Sequence, residues 1–412
     1  MLDGLKIIEL SAFVAAPLCG LTLSQLGAQV IRIDPPGGNI DVTRMPHAPG
    51  GDSLYWASLN RGKSSVIVDY RQAAGQALIR RMLGTVGDDD DGGGILVTNL
   101  ALEGELEYDA LKASRADVIV VRLIGSPDGR REMDYTVNCA VGLPLMTGAP
   151  DQGPVNHVFP AWDALAGLTL ANAVLAAVLN RRRTGRGALI TLALSDVAMA
   201  MMSNLGYLAD AAVNRNCRLQ DGNFVYGAYG DSFRTSDGRH VIVVAISNAQ
   251  WQALMQALDM GMAVTAAAAA LQRSVADERG RYEARELISA CLRPWFAQRS
   301  LAQVQQTLAS SKALWGVYRS LPQLLDEDPR CSPGNPLFEA VDHPGVGRYL
   351  VARSPLDVAT APRRAAGAPP QLGEHTEAVL RSMALSDAEI ERLASEGVIA
   401  RATGRPRGEP TA

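Results

Sequence analysis

Cysteine is scarce in this sequence and follows no spacing rule. The chain of 412 residues has five cysteines, an odd number, and no C-x-x-C pair. Disulfide frameworks and structural zinc sites need paired or regularly spaced cysteines, so we predict neither. Scattered free thiols are typical of a reducing compartment, and we therefore expect a cytoplasmic protein that binds no metal.

The sequence has no long run of one charge. Its 39 basic and 43 acidic side chains are mixed along the chain and leave a formal net charge of −4. Proteins that bind nucleic acids usually carry a basic patch or stripe, so we expect no nucleic-acid partner. The three arginines at residues 181–183 follow an apolar run. At that place we expect them to end a helix, where cations interact favourably with the helix dipole.

A secretory signal pattern and an evident membrane span are also missing. The first apolar run is interrupted by Asp3 and Lys6, unlike the apolar centre of a signal peptide. The longest apolar stretch, residues 164–179, is rich in alanine and shorter than the roughly 20 residues that cross a bilayer. We predict a buried helix there and no membrane partner.

The glycine fingerprint of dinucleotide-binding proteins is absent. Residues 5–10 and 30–33 are strand-like apolar runs, and residues 17–26 between them have helical spacing. This pattern predicts a βαβ unit. Its first turn, residues 11–17, contains no glycine, whereas nicotinamide and flavin enzymes need glycines there for the pyrophosphate. We therefore expect no such cofactor.

What the sequence does contain is the alternation of an α/β protein. Further strand-like runs and helical segments recur through the first half, at residues 65–69, 73–83, 95–98, 118–123, 190–194 and 196–208. They predict a parallel, doubly wound sheet. We assign residues 1–205 to a large Rossmann-like domain that is completed by residues 335–400. An acidic, glycine-rich loop is predicted at residues 88–94.

The pattern of the sequence changes after residue 220. Asp237 and Gly238 lie between two strand-like runs and predict a hairpin turn, and helical segments follow to about residue 309. These features predict a smaller α+β domain at residues 222–330. Terminal helices are predicted at residues 376–384 and 386–396, and a mobile tail at residues 401–412.

Asp163 is the first candidate for chemistry, because it stands directly before the long apolar run. A single Asp in that place is usually a helix N-cap. A carboxylate can also attack an activated acyl group and hold it as an anhydride. The helix dipole would keep such a carboxylate ionised. Local sequence leaves both interpretations open.

Several short motifs recur in the order of one known family. They are Asp-Gly-Leu at residues 3–5, Leu-Gly-Ala-Gln-Val-Ile-Arg-Ile-Asp at 26–34, Asn-Arg-Gly-Lys at 60–63, Thr-Gly-Arg-Gly at 184–187 and Leu-Gly-Glu-His-Thr at 372–376. The chain resembles the class III CoA-transferases from residue 3 to about residue 400. The resemblance implies an interlocked homodimer that acts on an acyl-CoA thioester, with no cofactor beyond the CoA moiety of the substrate.

Within that family the resemblance is strongest to members that move CoA between the two carboxyl groups of mesaconate. The segments concerned are residues 11–17, 134–138, 142–148, 155–163 and 222–230. Trp162 stands where most family members have glycine, and these members share that departure. The implied reaction converts 2-methylfumaryl-CoA (mesaconyl-C1-CoA) into 3-methylfumaryl-CoA (mesaconyl-C4-CoA). Asp163 matches the nucleophile, which would form an aspartyl–acyl anhydride with the substrate.

The resemblance also implies a set of CoA contacts. Val14, Ala15, Arg71, Asn99 and Arg131 match CoA-binding positions of the family. The strand ends of a doubly wound sheet are where ligands bind, and a guanidinium suits phosphate groups. Ordinary loop packing for the first two residues, and a solvated surface position for Arg71, are the alternatives.

Four further positions are candidates for contact with the acyl group. Asp134 matches an acidic position near the reacting acyl group, and a capping role is equally consistent with its sequence. His157 lies six residues before Asp163, although single histidines are more often structural. Gly227 and Gly230, together with Gly222, either form a loop that closes over the anhydride and excludes water or belong to an ordinary glycine-rich linker.

Three other activities are weighed against intramolecular transfer. Racemases of the family have a histidine before the acidic residue, and Met133 occupies that place here, which disfavours racemisation. An intermolecular CoA-transferase would exchange two organic acids at the same aspartate. A protein that binds acyl-CoA without turnover would need no nucleophile.

Overall fold

A computed structural model describes residues 1–85, 92–216 and 218–402 of the chain. The acidic part of the predicted loop, residues 88–91, and all but the first two residues of the predicted tail lie outside the described residues. The α-helices are α1 Ala15–Gln25, α2 Leu54–Asn60, α3 Ala73–Thr85, α4 Tyr108–Ser114, α5 Asp134–Ala140, α6 Ala161–Thr184, α7 Leu194–Asn204, α8 Tyr207–Asn214, α9 Asn248–Leu258, α10 Gly261–Ala270, α11 Glu278–Glu283, α12 Arg285–Ala297, α13 Leu301–Ala309, α14 Leu321–Glu327, α15 Thr376–Ser382 and α16 Asp387–Ser395.

The strands are β1 Lys6–Leu10, β2 Gln29–Asp34, β3 Ser64–Val68, β4 Ile95–Thr98, β5 Ile119–Ile124, β6 Ala188–Ala193, β7 Tyr229–Arg234, β8 His240–Ala245, β9 Leu314–Val317, β10 Phe338–His343, β11 Gly347–Ala352 and β12 Ile399–Ala400. Seven of the strands in the described ranges form one sheet, in the order β12-β3-β2-β1-β4-β5-β6. All pairs are parallel except β12 with β3. This is the doubly wound order, so the predicted α/β class is confirmed.

The two faces of the sheet are covered by different helices. Ile8 of β1 belongs to a core cluster with residues of α3, α15 and α16. Glu9, the next residue, points to the other face, where Gly20 of α1 lies against its carboxylate, because successive side chains of a strand alternate between faces. Burial on both faces explains why these strands are nearly continuous apolar runs.

Helix α6 is longer than the apolar run from which it was predicted. It has 24 residues, and by length and hydropathy alone it could cross a bilayer, so the expectation that it is too short was wrong. It packs closely on α1: a Cβ at Gly167 would lie 2.7 Å from the Ala15 carbonyl oxygen. At its far end the Arg181 guanidinium donates to the carbonyl oxygens of Gly93 and Asp117, at 2.8 and 3.4 Å. Those residues precede β4 and β5.

The chain forms two compact units. Unit 1 comprises Met1–Val141, His157–Asn216 and Pro329–Ala412, and contains the large sheet. Unit 2 comprises Gly142–Asn156 and Cys217–Asp328.

In unit 2 the antiparallel strands β7, β8 and β9 pair in that order, and α9, α12 and α13 contribute to their core. Its hairpin turn is closed by a hydrogen bond from Gly238 N to the Thr235 carbonyl oxygen, 3.0 Å. Gly238 has φ +80°, a conformation that glycine adopts without strain. The predicted hairpin is confirmed.

One segment of unit 2 differs from the division made on sequence. Residues 142–156 were assigned to the large domain. Gly222 N donates to the Gly148 carbonyl oxygen at 2.9 Å, and the Gln220 side chain donates to the Thr147 carbonyl oxygen at 2.7 Å. These bonds join the segment to the start of the smaller unit, a pairing between residues that are more than seventy positions apart.

Candidate active site

A cavity of about 400 Å³ opens in unit 1 where β1, β4 and β5 end. Between β1 and β4 the sheet order changes direction, and doubly wound proteins bind ligands at such a point. The volume lies in the range of small-molecule sites. The lining residues are Phe13, Val14, Ala15, Arg44, Met45, Tyr55, Asn99, Leu123, Ile124, Gly125, Glu132, Met133, Asp134, Tyr135, Val158, Pro160, Asp163 and Leu194.

The turn after β1 forms one wall and is held from two sides. The Asn99 amide accepts from Ala12 N at 2.9 Å and donates to the Ala12 carbonyl oxygen at 2.7 Å. Phe13 N donates to Asp41 Oδ2 at 3.2 Å. Phe13 has φ +63°, which is uncommon for a bulky residue and implies that its surroundings hold it there. The turn, with Val14 and Ala15 at the start of α1, is therefore fixed before any ligand binds.

Asp163 lies in the first turn of α6, but it is not the N-cap. The N-cap position is Pro160, which has no side-chain capping bond. The Asp163 carboxylate makes no hydrogen bond with any described residue, so its oxygens are available to a ligand in the cavity that it lines. The capping interpretation of Asp163 is wrong, because another residue supplies the cap.

That residue is Asp134, at the start of α5. Its Oδ2 accepts from Trp162 N at 2.8 Å and from Asp163 N at 3.1 Å, so it satisfies two of the backbone donors that a helix start leaves without partners. Its Oδ1 is buried and has no hydrogen-bond partner in the described chain. Asp134 thus fixes the backbone of the candidate nucleophile and presents one unused oxygen.

Burial and, to a lesser extent, the charge of Asp134 raise the pKa of Asp163 from 3.8 to about 6, against the opposing effect of Arg44. The expectation that the helix dipole alone would keep this group ionised was incomplete, because desolvation and a like charge oppose ionisation. At pH 7 about nine-tenths of the groups are still carboxylates. Burial also raises the pKa of Tyr55 to about 12, so its hydroxyl remains a hydrogen-bond donor.

A second group of charges lies beneath the cavity wall. This buried charge cluster consists of Glu9, Arg32, Asp34, Asp41 and Lys63, and none of them is more than 4% exposed. The Arg32 guanidinium makes two hydrogen bonds to Asp34, at 3.0 and 2.9 Å, and two to Asp41, at 3.3 and 3.2 Å. Lys63 Nζ binds both oxygens of Glu9, at 3.0 and 2.9 Å. Each charge of the cluster therefore has an opposite charge in contact.

Trp162 precedes the candidate nucleophile where glycine was expected. Its side chain is 4% exposed, and its indole Nε1 donates to Asn138 Oδ1 at 3.2 Å. A glycine has no side chain to bury at this place or to donate this hydrogen bond. Trp162 therefore anchors the first turn of α6 to α5.

The sequence profile of CoA-transferase family III matches residues 2–376 of the chain. The chain belongs to that family. The family match spans most of the chain, and so covers the cavity and Asp163.

Relatives within the family differ widely in similarity. A 2-methylfumaryl-CoA isomerase of Chloroflexus aurantiacus is 45% identical over 405 residues, which cover 97% of this chain and 98% of the relative. The alpha subunit of a succinyl-CoA–L-malate CoA-transferase of the same organism is 25% identical and covers 97% and 92% of the two chains. The first relative also aligns with nearly the whole length of the chain.

Solved structures agree with the fold. A CAIB/BAIF family protein from Brucella suis has a TM-score of 0.75 and 25% identity, and covers 93% of this chain and 99% of its own. A hypothetical protein from Mycobacterium tuberculosis has a TM-score of 0.71 and 25% identity, covering 92% and 98%.

The structure brings some of the family positions together and not others. Val14, Ala15, Asn99, Asp134 and Asp163 all line the cavity, although they are up to 149 positions apart in the sequence. The Asn99 side chain is engaged with the turn after β1 and its contact with CoA stays a prediction.

Three predicted residues of unit 1 do not line the cavity. The Arg71 guanidinium is exposed and donates to Asp69 Oδ1 at 2.6 Å. Arg131 is exposed beside the cavity-lining Glu132. The His157 ring contacts Asn138 Oδ1 at 2.9 Å and the Phe159 carbonyl oxygen, which gives it a structural role in the loop before α6.

The two predicted glycines belong to unit 2. Gly227 has φ +74°. A Cβ at Gly230 would lie 2.5 Å from a methyl group of Val225, so the close packing at the start of β7 accounts for that glycine. Their role in closing over a substrate stays a prediction.

Sequence reasoning missed several cavity residues, of which Arg44 and Tyr55 carry the most chemistry. Tyr55 stands shortly before the family motif at residues 60–63, but no role was assigned to it. Arg44 directly follows the 3-10 turn Ile40–Thr43, and nothing in the local pattern indicates that its side chain lines a cavity. Among the described residues there is no group of three or more His, Cys, Asp or Glu side chains arranged to hold a metal ion.

Proposed function

We propose that the chain is a CoA-transferase that acts as an isomerase and converts 2-methylfumaryl-CoA into 3-methylfumaryl-CoA through Asp163. The observation that carries the proposal is a carboxylate without hydrogen bonds at the wall of a cavity, fixed there by Asp134. The 45% identical relative named 2-methylfumaryl-CoA isomerase supports the choice of substrate. The acyl-CoA is thus the proposed partner.

In the first step an oxygen of Asp163 attacks the C1 thioester carbon. The C–S bond breaks, CoA leaves as a thiolate, and a mixed anhydride joins Asp163 to C1 of the acyl group. The partial burial of Asp163 favours this step, because a poorly solvated carboxylate is a stronger nucleophile. No proton or electron is gained or lost.

In the following steps the thiolate attacks the Asp163 carbon of the anhydride, so mesaconate leaves as a dianion and CoA is held as an aspartyl thioester. The mesaconate turns in the cavity and its C4 carboxylate attacks that thioester, which releases the thiolate and forms the C4 anhydride. Attack of the thiolate on C4 gives the product and restores the Asp163 carboxylate. The four steps balance.

The geometry of the substrate explains why a protein nucleophile is needed. In a fumaryl group the two carboxyl carbons lie on opposite sides of a rigid double bond. One carboxylate cannot reach the other to form a cyclic anhydride, so CoA cannot cross directly. Asp163 would relay it. This acyl chemistry requires no metal or redox cofactor, and we propose that only the CoA of the substrate takes part.

We further propose a cytoplasmic homodimer of the interlocked type that the family resemblance implies. Helix α8 has no buried residue within the described chain, yet Leu208 and Val213 are apolar and exposed, and Met199 of α7 and Leu179 of α6 are exposed as well. Apolar helix faces of this kind are typical of subunit interfaces. Sedimentation analysis should give a dimer; a monomer at micromolar concentration would contradict this part of the proposal.

The second candidate function is CoA transfer between two separate acids. The 25% identical relative is named a CoA-transferase of that kind, and the same aspartate would serve. Incubation with mesaconyl-C1-CoA and isotopically labelled free mesaconate separates the two. Unlabelled C4 ester would support intramolecular transfer, and label in the product would favour exchange between acids.

The nucleophile is tested by Asp163→Asn. We expect the variant to bind acyl-CoA and to lose transfer by at least about 10³-fold, because the covalent step is removed. Hydroxylamine should trap an acylated Asp163 in the parent enzyme only, visible by peptide mass spectrometry. The matched control is Asp109→Asn, an exposed Asp in the first turn of α4. Retained transfer in the Asp163 variant would overturn the mechanism, and binding without any turnover in the parent would favour a binding protein.

A further inference from the structure

Arg44 is the one cation among the described residues that line the cavity. Three carboxylates, Glu132, Asp134 and Asp163, line it as well. The Arg44 guanidinium makes no hydrogen bond or ion pair with any described residue. Arg44 is an exposed residue of the cavity wall, so its guanidinium is open to an anionic ligand that enters the cavity.

The position of Arg44 is fixed, although its guanidinium makes no ion pair with any described residue. Its backbone N donates to the Asp41 carbonyl oxygen at 3.2 Å, and the Ser53 hydroxyl donates to the Arg44 carbonyl oxygen at 2.6 Å. Its guanidinium carbon lies 5.6 Å from the centre of the Phe13 ring and 5.3 Å from that of Tyr55. Two aromatic rings therefore orient a planar cation without using its N–H donors.

Arg44 and Asp163 line the same cavity without touching. Their separation exceeds ion-pair distance, since no such contact joins them, yet the charge of Arg44 lowers the pKa of Asp163. The space between the two groups is part of the cavity. An acyl group whose one end reacts with Asp163 can place its other end towards Arg44.

We propose that Arg44 binds the carboxylate of the acyl group that is not being acylated, and so selects dicarboxylic acyl groups over monocarboxylic ones. This inference rests on the proposed function. Arg44 would hold the C4 carboxylate while C1 reacts and the C1 carboxylate while C4 reacts, because the acid turns between the two anhydrides. A guanidinium binds a carboxylate through two parallel N–H donors, and the same residue can serve both orientations.

Arg44 also supplies a charge that the cavity otherwise lacks. When the dianionic acid is released, Asp163 carries CoA as a thioester, but the carboxylates of Glu132 and Asp134 still line the cavity. They would repel the acid, and it would leave the cavity before it turned. Arg44 offsets part of this repulsion. It therefore favours retention of the acid, which is what distinguishes intramolecular transfer from exchange with free acid.

The test compares two thioesters that differ only at the far end of the acyl chain. Succinyl-CoA carries a carboxylate there and butyryl-CoA carries a methyl group. Their dissociation constants are measured by calorimetry on Asp163→Asn, which cannot react, and on the same protein with Arg44→Gln added. Arg392→Gln, an exposed arginine paired with Glu396 on α16, is the control for loss of one positive charge.

We expect Arg44→Gln to weaken succinyl-CoA by about 10- to 100-fold, the range of a charged bidentate contact, and to change butyryl-CoA by less than about twofold. Arg44→Lys should recover part of the loss, and Arg392→Gln should change neither ligand. Equal weakening of both thioesters would overturn the proposal and place Arg44 on the CoA moiety. No change in either would also overturn it.

Turnover gives a second and independent reading. In the otherwise unaltered enzyme, Arg44→Gln should increase the incorporation of labelled free mesaconate into product, because the released acid escapes more often. The binding comparison does not depend on turnover. If the parent enzyme fails to isomerise mesaconyl-CoA but the succinyl preference depends on Arg44, the proposed reaction fails and the carboxylate site stands; the reverse result rejects Arg44 alone.

Discussion

The buried charge cluster and the cavity hold the same kinds of side chain, yet they leave them in opposite states. In the cluster, Arg32 and Lys63 contact carboxylates directly and hydrogen bonds fill their donors. In the cavity, Arg44 has no ionic partner among the described residues. Oδ1 of Asp134 is buried and has no hydrogen-bond partner among them. The two regions meet at the turn after β1, since Phe13 lines the cavity and donates to Asp41 of the cluster.

The difference shows how to separate structural from functional charge in this unit. Buried charges are tolerated when hydrogen bonds and opposite charges compensate for lost solvation. Asp163 lacks this compensation and is partly buried, so its ionisation costs the folded protein stability. The cluster stabilises the turn after β1 that forms one wall of the cavity, whereas the charged groups of the cavity are available to a ligand. Three measurements test this contrast.

The largest effect is expected from breaking the cluster with Arg32→Ala. Asp34 and Asp41 would then stay buried beside Glu9 without their cation, which typically costs about 3–5 kcal/mol. The free energy of unfolding in urea measures the loss. Arg392→Ala removes an exposed i,i+4 pair and should cost no more than about 0.5 kcal/mol. Losses of similar size in the two variants would mean that the cluster is solvated.

The opposite sign is expected in the cavity, where Asp163→Asn should stabilise the fold. The pKa of Asp163 is about 6 in the folded chain and 3.8 when exposed, so the folded state binds this proton more tightly than the unfolded state does. The destabilising effect of ionisation is absent below about pH 3.8 and complete above about pH 6. Asn should therefore raise the free energy of unfolding by roughly 1–3 kcal/mol at pH 7.

Unfolding at several pH values checks the origin of that gain. It should shrink steadily as the pH falls from 6 towards 4. Asp109→Asn, on the exposed start of α4, should show no such dependence. A gain that does not vary with pH would mean that the charge of Asp163 is not its cause.

The smallest effect concerns the two neighbouring carboxylates. The ionised form of Asp163 is the proposed nucleophile, so kcat/KM should fall about tenfold per pH unit below an apparent pKa near 6. Asp134 raises that pKa through its charge. Asp134→Asn keeps an oxygen that can accept from Trp162 N and Asp163 N, and it should shift the acid limb to lower pH. An unshifted limb would mean that the two carboxylates do not interact.

Much of the fold could be predicted because parallel strands that are buried on both faces have nearly continuous apolar sequences. The strands β1 to β5 follow this pattern, and β6 is also an apolar run although most of its residues are partly or fully exposed. The helices α1, α3 and α6 were predicted as well. The hairpin of β10 and β11 was not predicted from the sequence. Its strands carry charged residues at Glu339, Asp342 and Arg348 and bury little, so they lack the alternation that identifies a half-buried strand.

The candidate site could be predicted only in part. Asp163 stood out because its position agreed with a family motif, and Asp134 because it matched an acidic position. The cap that Asp134 provides joins residues 29 positions apart, and no local pattern reports such a contact. Arg44 and Tyr55 come from an irregular segment and the helix after it, so only the assembled fold shows that they line the cavity.

Helix α6, whose first turn contains Asp163, links the cavity to the opposite end of the strands. Its 24 residues extend about 36 Å. Asp163, near its start, lies at the cavity where the strands of the sheet end. Arg181, near its other end, donates to the carbonyl oxygens of Gly93 and Asp117, which precede β4 and β5. A rod held at both ends transmits displacement along its axis with little bending. Loss of the Arg181 hydrogen bonds would therefore displace Asp163, the proposed nucleophile, and slow the proposed reaction although Arg181 touches no substrate atom.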